Sequence, residues 1–124
     1  MKLLLDTRTV LWFLGGDARL SDTARRHLTD DSNRVLLSAV VVWEIAVKRS
    51  LGKLLLPEEY LDVLLDAGIQ PLPISIAHAA AVERLPRHHR DPFDRLLVAQ
   101  ASVELATVVS RDDALRPYDV TLIW

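Results

Sequence analysis

Four short segments of the chain each carry a carboxylate where a side chain could reach a shared site. Asp6 directly follows Leu3-Leu4-Leu5, and Glu44 interrupts the otherwise apolar stretch from Ala39 to Val47. Asp94 closes Asp91-Pro92-Phe93-Asp94, and Asp112 comes shortly after Thr107-Val108-Val109. In an open parallel sheet, functional groups gather beyond the carboxyl ends of the strands. Acids delivered to such a rim from separate segments repel one another and raise each other's pKa unless a cation joins them. Oxygen ligands without Cys or a spaced His pair suit Mg²⁺, with Mn²⁺ as the alternative, and Mg²⁺ shares its coordination readily with substrate phosphate. Hydrolysis of a phosphodiester follows from that chemistry, because the ion polarises phosphoryl oxygens and lowers the pKa of an attacking water. The expected metal-binding and catalytic set is Asp6, Glu44, Asp94 and Asp112.

Each of these acids also has a local structural use. Asp6 precedes a helical segment and is a good N-cap. Glu44 can pair with Lys48 four residues on, although so apolar a helix has little exposed stripe to spare. In Asp91-Pro92-Phe93-Asp94, Asp as N-cap, Pro at the first helical position and an acid at the third make a favourable helix start. That assignment makes Asp91 the cap and Asp94 the ligand, with Asp91 as an outer support. In Ser110-Arg111-Asp112-Asp113, Asp112 is taken as functional because it is closer to the strand end, and Asp113 as the capping or solvated partner. Ser38 and Ser110 could position water or phosphate, or cap backbone.

The densest basic stretch, His88-His89 with Arg84, Arg87, Arg90 and Arg95, lies just before the Asp94 helix. Arg87, His89 and Arg90 are candidates to guide an RNA backbone toward a metal, the alternative being a solvated loop. Lys48, Arg49 and Lys53 form a weaker patch near Glu44. Adjacent histidines without spaced companions do not make a zinc site. No Gly-rich phosphate loop and no nucleophile-elbow sequence is present, which disfavours nucleotide-cofactor enzymes and acyl transfer.

Short apolar or β-branched runs alternate with helical segments. Strands are expected at Leu3–Leu5, Arg34–Ser38, Ile69–Ile74, Leu105–Val109 and Val120–Ile123. Helices are expected at Thr7–Leu14, Ser21–Thr29, Val40–Ser50, Pro57–Asp66, Ser75–Arg84 and Pro92–Glu104. The alternation predicts an α/β protein, a three-layer α/β/α sandwich on a parallel sheet of about five strands. With 124 residues, half of them hydrophobic, one domain spanning 1–124 is expected. There is no Cys, so disulfides, thiolate metal sites and cysteine nucleophiles are excluded. Net charge is −2, so any nucleic-acid contact must come from a local patch. Apolar runs fall short of the ~20 residues of a membrane helix, and a charge comes too early for a signal peptide, so a cytoplasmic protein without membrane contact is expected.

Leu4-Leu5-Asp6-Thr7, Ser38 with Val42-Trp43-Glu44-Ile45, the run from His89 to Leu97 through Asp91-Pro92-Phe93-Asp94-Arg95, and Ser110-Arg111-Asp112 together resemble a PIN domain, specifically a VapC-type toxin ribonuclease. The resemblance runs along essentially the whole chain. It implies a Mg²⁺-dependent endoribonuclease with Asp6, Glu44, Asp94 and Asp112 as its acidic cluster. It also implies a homodimer and a cognate antitoxin whose C-terminal segment packs into a groove near the site, often presenting a basic side chain to the acids. Val10-Leu11-Trp12-Phe13-Leu14 and the helix from Val40 to Leu51 could supply that groove, or serve as core. Similar toxins often carry His two places after the first Asp; here Arg8 stands there, a phosphate contact or a plain surface residue. Two other readings of the residues stay open: another metal-dependent phosphoryl hydrolase, or a non-catalytic module whose acids bind a cation or a basic peptide.

Overall fold

The computed structural model describes all residues, Met1–Trp124. Five strands, β1 (Lys2–Leu5), β2 (Arg34–Ser38), β3 (Gln70–Leu72), β4 (Thr107–Val109) and β5 (Leu122–Ile123), form one sheet in the order β3-β2-β1-β4-β5. Every pairing is parallel. Six helices alternate with them: α1 (Thr7–Gly15), α2 (Asp22–Thr29), α3 (Ala39–Ser50), α4 (Tyr60–Asp66), α5 (Ile76–Ala81) and α6 (Pro92–Glu104). Successive strand side chains point to opposite faces. Leu3, Leu4 and Leu5 are nevertheless all fully buried, so the central strand is covered on both sides, as in an α/β/α sandwich.

The expected elements are present, and the differences lie at their ends. Proline at 71 and 73 lacks an N–H for a ladder, so the third strand shrinks to Gln70–Leu72 and lies at the sheet edge. Leu105 is not in a strand: it caps α6 in the left-handed conformation, φ 54°, and donates its N–H to the α6 carbonyls, so β4 begins at Thr107. Pro57 to Glu59 form a turn before α4, and the Ser75 segment ends in a single 3-10 turn, Val82–Arg84. At the sheet edge next to β4, Val120 and Thr121 remain outside β5.

Strand register positions the site. Leu5 stands beside Val109 and Leu4 beside Leu36. Continuing these ladders brings Asp6 between Ser38 on one side and Ser110 on the other, at the carboxyl edge of the sheet.

Candidate active site

Asp6 leaves β1 in extended conformation and caps α1, one carboxylate oxygen accepting the Thr9 N–H at 2.9 Å. Its other oxygen accepts the Ser110 hydroxyl. Only 7% of Asp6 is exposed. Burial raises its pKa above the ordinary value; the bonds from Ser110 and Thr9 pull it back down, and the nearby charge of Asp112 raises it further. The cap and the site therefore use one carboxylate.

Ser110 is a hinge between two acids. While its hydroxyl donates to Asp6, the same oxygen accepts the Asp112 N–H at 3.0 Å. Asp112 in turn accepts the Ala114 N–H at 2.9 Å. The capping role expected of Asp113 thus belongs to Asp112, because a turn starting at Asp113 needs its cap one residue earlier. Asp113 is exposed and pairs with Arg116 at 2.6 Å.

Asp91 caps α6, accepting the Asp94 N–H at 3.0 Å, with Pro92 opening the helix. This orientation leaves the Asp94 carboxylate facing His89, whose Nε2 stands 3.3 Å from it, while His89 Nδ1 stands 2.7 Å from the Tyr118 hydroxyl. Burial first, then the charges of Asp91 and Asp112 beside it, push the Asp94 carboxyl up to about 6, against the lowering contact of His89. Asp112 is thus felt by both Asp6 and Asp94, and these three acids share one electrostatic neighbourhood.

Glu44 reaches the same rim by another route. The Thr7 hydroxyl, one residue after Asp6, donates to Glu44 Oε1 at 2.6 Å. Lys48 occupies Oε2, also at 2.6 Å, so the i,i+4 ion pair is formed and Glu44 is not a free carboxylate. Ser38 turns away, its hydroxyl capping α3 and donating to the buried Gln100. In the sequence Thr7 reads only as a helix start and part of Leu4-Leu5-Asp6-Thr7, not as a partner of Glu44, and Tyr118 carries no role. Thr7 had the signal of following Asp6 directly, whereas nothing local marks Tyr118.

No three acidic or histidine side chains are already arranged to hold an ion. The donor set is nonetheless all oxygen, and the charge of Asp112 raises the pKa of both Asp6 and Asp94, a conflict that a hard cation relieves. Mg²⁺ is usually held through one or two carboxylates with water and substrate phosphate completing the shell, so a full protein cage is not required. The residues fit such an ion.

Arg87, His88, His89, Arg90 and Arg95 line a cleft of about 570 Å³ that contains no carboxylate wall. Arg95 is committed to structure, donating to the Pro86 carbonyl at 2.8 Å and to the Tyr118 hydroxyl at 3.3 Å. His89 holds Asp94 and Tyr118, while Arg87 and Arg90 are exposed and in no ion pair. Arg8 is likewise exposed, on the first turn of α1 beside Asp6.

Leu37, Val42, Trp43, Leu61, Leu65 and Leu72 are among the walls of a nearly wholly apolar trough of about 700 Å³ between α3, α4 and the β3 edge. The Val10–Leu14 stretch does not form it. Val10 is fully buried and Leu11 to Leu14 pack onto the core, because α1 directs that face at the sheet. Of the two candidate stretches, only the α3 helix lines the trough, together with Leu61 and Leu65 of α4.

Compared with known protein families, residues 3–120 match the PIN domain, and the chain belongs to that family. No curated protein sequence matches it. Among solved structures it is similar to VapBC2 from Rickettsia felis bound to a DNA fragment from their promoter, with 18% identity, TM-score 0.74, and coverage of 99% of this chain and 98% of that one. It is also similar to DNA-bound VapBC from Salmonella typhimurium, with 17% identity, TM-score 0.71, and coverage of 99% and 97%. A third is VapBC-5 from Mycobacterium tuberculosis, a member of the VapBC family of toxin-antitoxin systems, with 18% identity, TM-score 0.61, and coverage of 98% and 97%. No helix is long and apolar enough to cross a membrane.

Proposed function

We propose that this protein is a VapC-type toxin: an endoribonuclease that uses Mg²⁺, or Mn²⁺, to hydrolyse RNA phosphodiester bonds in the cytoplasm. The observation that carries the reading is the bridge through Ser110. It ties Asp6 at the end of β1 to Asp112 after β4, and Asp112 shares its field with Asp94. Asp6, Asp94 and Asp112 are the acids that would hold the ion, and Glu44 joins them when Lys48 is exchanged for it. Once bound, the ion supplies a water of lowered pKa and polarises the phosphoryl oxygen.

The chain's own residues do the rest. Hydrogen bonds from Ser110 and Thr9 favour the charged form of Asp6 against the effect of burial, and the charged form is the one that ligates a metal. The Tyr118–His89 contact holds Asp94 at the helix start, and Asp91 fixes that start. Arg87 and Arg90, with Arg8 two residues after Asp6, are the side chains we assign to the RNA backbone, because guanidinium forks pair with phosphate oxygens.

The apolar trough beside α3 is the surface we assign to a cognate antitoxin. Trp43, one of its walls, directly precedes Glu44 in α3, so an amphipathic segment lying in the trough would bring a basic side chain toward the acids. The similarity to toxin-antitoxin complexes supports this partner, and a homodimer is the assembly expected of such a toxin.

The test is to incubate antitoxin-free protein with structured RNA, DNA and a phosphomonoester, with Mg²⁺, Mn²⁺ or EDTA, beside matched Asp6→Asn protein. RNA cleavage that requires metal and vanishes in Asp6→Asn is the expected result. Turnover of only DNA or phosphomonoester would assign a different phosphoryl hydrolase. Tight binding of a basic peptide with no turnover would assign a non-catalytic module.

A further inference from the structure

A second cleft, of about 420 Å³, shares Ser110 and Asp112 with the acidic site. Ser110, Arg111, Asp112, Asp113, Arg116, Leu122 and Trp124 form its walls. The Ser110 N–H donates to the Ile123 carbonyl at 3.2 Å, so Trp124 follows immediately on a peptide bonded to the residue that bridges Asp6 and Asp112.

Trp124 is held in place. Its ring meets Trp12 edge-on, with centroids 5.6 Å apart and planes at 62°. Trp12 in turn lies under the Arg19 guanidinium, 5.1 Å from the ring centre, and Arg19 is fastened to Asp17 at 2.7 Å. An edge-on neighbour steadies an indole without occupying both its faces. The charges of this cleft also differ from those of the Arg87–Arg95 cleft. Its two arginines are matched by two aspartates, with Arg116 paired to Asp113 and Arg111 in no ion pair. Such walls have little net pull on a phosphate backbone, whereas a half-buried indole, packed on the core and lining a polar cleft, suits a flat, polar ring.

We propose that Trp124 is a stacking platform for one unpaired nucleobase of the RNA next to the bond being cut, with Arg111 facing the edge of that base or its adjoining phosphate. Bases of single-stranded RNA stack on aromatic side chains and are read at their edges by such neighbours. The inference rests on the nuclease reading above and adds a substrate contact that the acidic site does not need for chemistry. It makes Trp124 a specificity-determining residue: it holds the strand so that the scissile phosphate comes to Asp6 and Asp112.

The experiment compares wild type with Trp124→Leu, which keeps apolar packing without a π face, and Trp124→Phe, which keeps a smaller one. Thermal melts first establish that each variant is folded. On a short RNA cut by wild type, Trp124→Leu should raise KM about tenfold with kcat within about twofold, and Trp124→Phe should recover most of the loss. An abasic nucleotide at one position flanking the cut should raise KM for wild type but not for Trp124→Leu. An unchanged KM in Trp124→Leu, or an abasic penalty equal in both proteins, overturns the proposal. If wild type cuts no RNA the nuclease reading fails by itself, and stacking is then judged by tryptophan fluorescence. Quenching by single-stranded RNA that is lost in Trp124→Leu, and absent with an abasic strand, supports it; equal quenching in both proteins overturns it.

Discussion

The Ser110 hydroxyl donates to the Asp6 carboxylate across 104 positions of sequence, joining the ends of the two neighbouring strands β1 and β4. A hydrogen bond to a buried charge is worth about 1.5–3 kcal/mol. Its consequence here is that Asp6, whose pKa burial raises, is pulled back toward its charged form.

Ser110→Ala should therefore raise the Asp6 pKa further, because it removes a bond that favours the charged form. The acidic limb of the metal-dependent cleavage profile should move to higher pH with it, with little change on the alkaline side. A pH–rate profile of kcat/KM for both proteins checks this, and an unmoved acidic limb removes Ser110 from the control of Asp6.

Asp94 is a place where function opposes stability. Its carboxyl is pushed up to about 6 in the folded protein, against an ordinary value of 3.8. A raised folded pKa contributes stability below the unfolded value and loses it as pH rises through about 6, so at pH 7.5 the charged Asp94 is destabilising. Allowing for its partial exposure to solvent, Asp94→Asn should stabilise the metal-free protein by about 1 kcal/mol at pH 7.5 and by much less at pH 4. That corresponds to roughly 3–5 °C in Tm for a chain of this size. Cleavage should be abolished in the same variant. Melting curves at the two pH values, beside an activity assay, test both halves.

Lys48 competes with any metal for Glu44. Exposed i,i+4 pairs are worth at most about 1 kcal/mol, which is roughly fivefold in a binding constant. Lys48→Met should thus lower the Mg²⁺ concentration for half-maximal cleavage by about two- to fivefold. Isothermal titration of Mg²⁺ into both proteins provides the check, and equal affinities would mean that Glu44 takes no part in holding the ion.

A second titrating cluster lies away from the acids. Buried His78 stands 2.8 Å from Glu104, and Lys2 adds a longer contact at 3.5 Å. His78 chiefly, with Lys2, holds the Glu104 carboxyl below its ordinary value of 4.5. The sign is opposite to that of Asp94: a lowered folded pKa contributes stability above the unfolded value, lost as pH falls through the folded one. Wild-type Tm should therefore decline below about pH 4.5, and Glu104→Gln should flatten that decline while lowering Tm at neutral pH. Melting curves from pH 3 to 7 separate the two proteins.

Much of this was legible before any fold was known. Unbroken apolar runs such as Leu3-Leu4-Leu5 announce strands buried on both faces, and Asp91-Pro92 announces a helix start whose bounds, Pro92–Glu104, the structure reproduces. What misled were residues whose local chemistry has two uses. Leu105 is β-prone by context yet terminates a helix at positive φ, and Asp113 looks as good a cap as Asp112 until the turn chooses between them. The stretch from Val10 to Leu14 reads more simply as core than as groove, and the direction of α1 relative to the sheet makes it core.

The amino-acid order by itself determined the alternation of strand and helix, the caps, and the delivery of an acid after β1 and β4, because these depend on periodicity and on interactions a few residues long. Tertiary structure alone decided which acids meet. That Ser110 bonds Asp6, that Lys48 and Thr7 occupy Glu44, that Tyr118 reaches His89, and that Trp124 stands beside Asp112 all depend on strand register and helix packing. Contacts between distant segments are set by how one core is filled, and no local pattern encodes them.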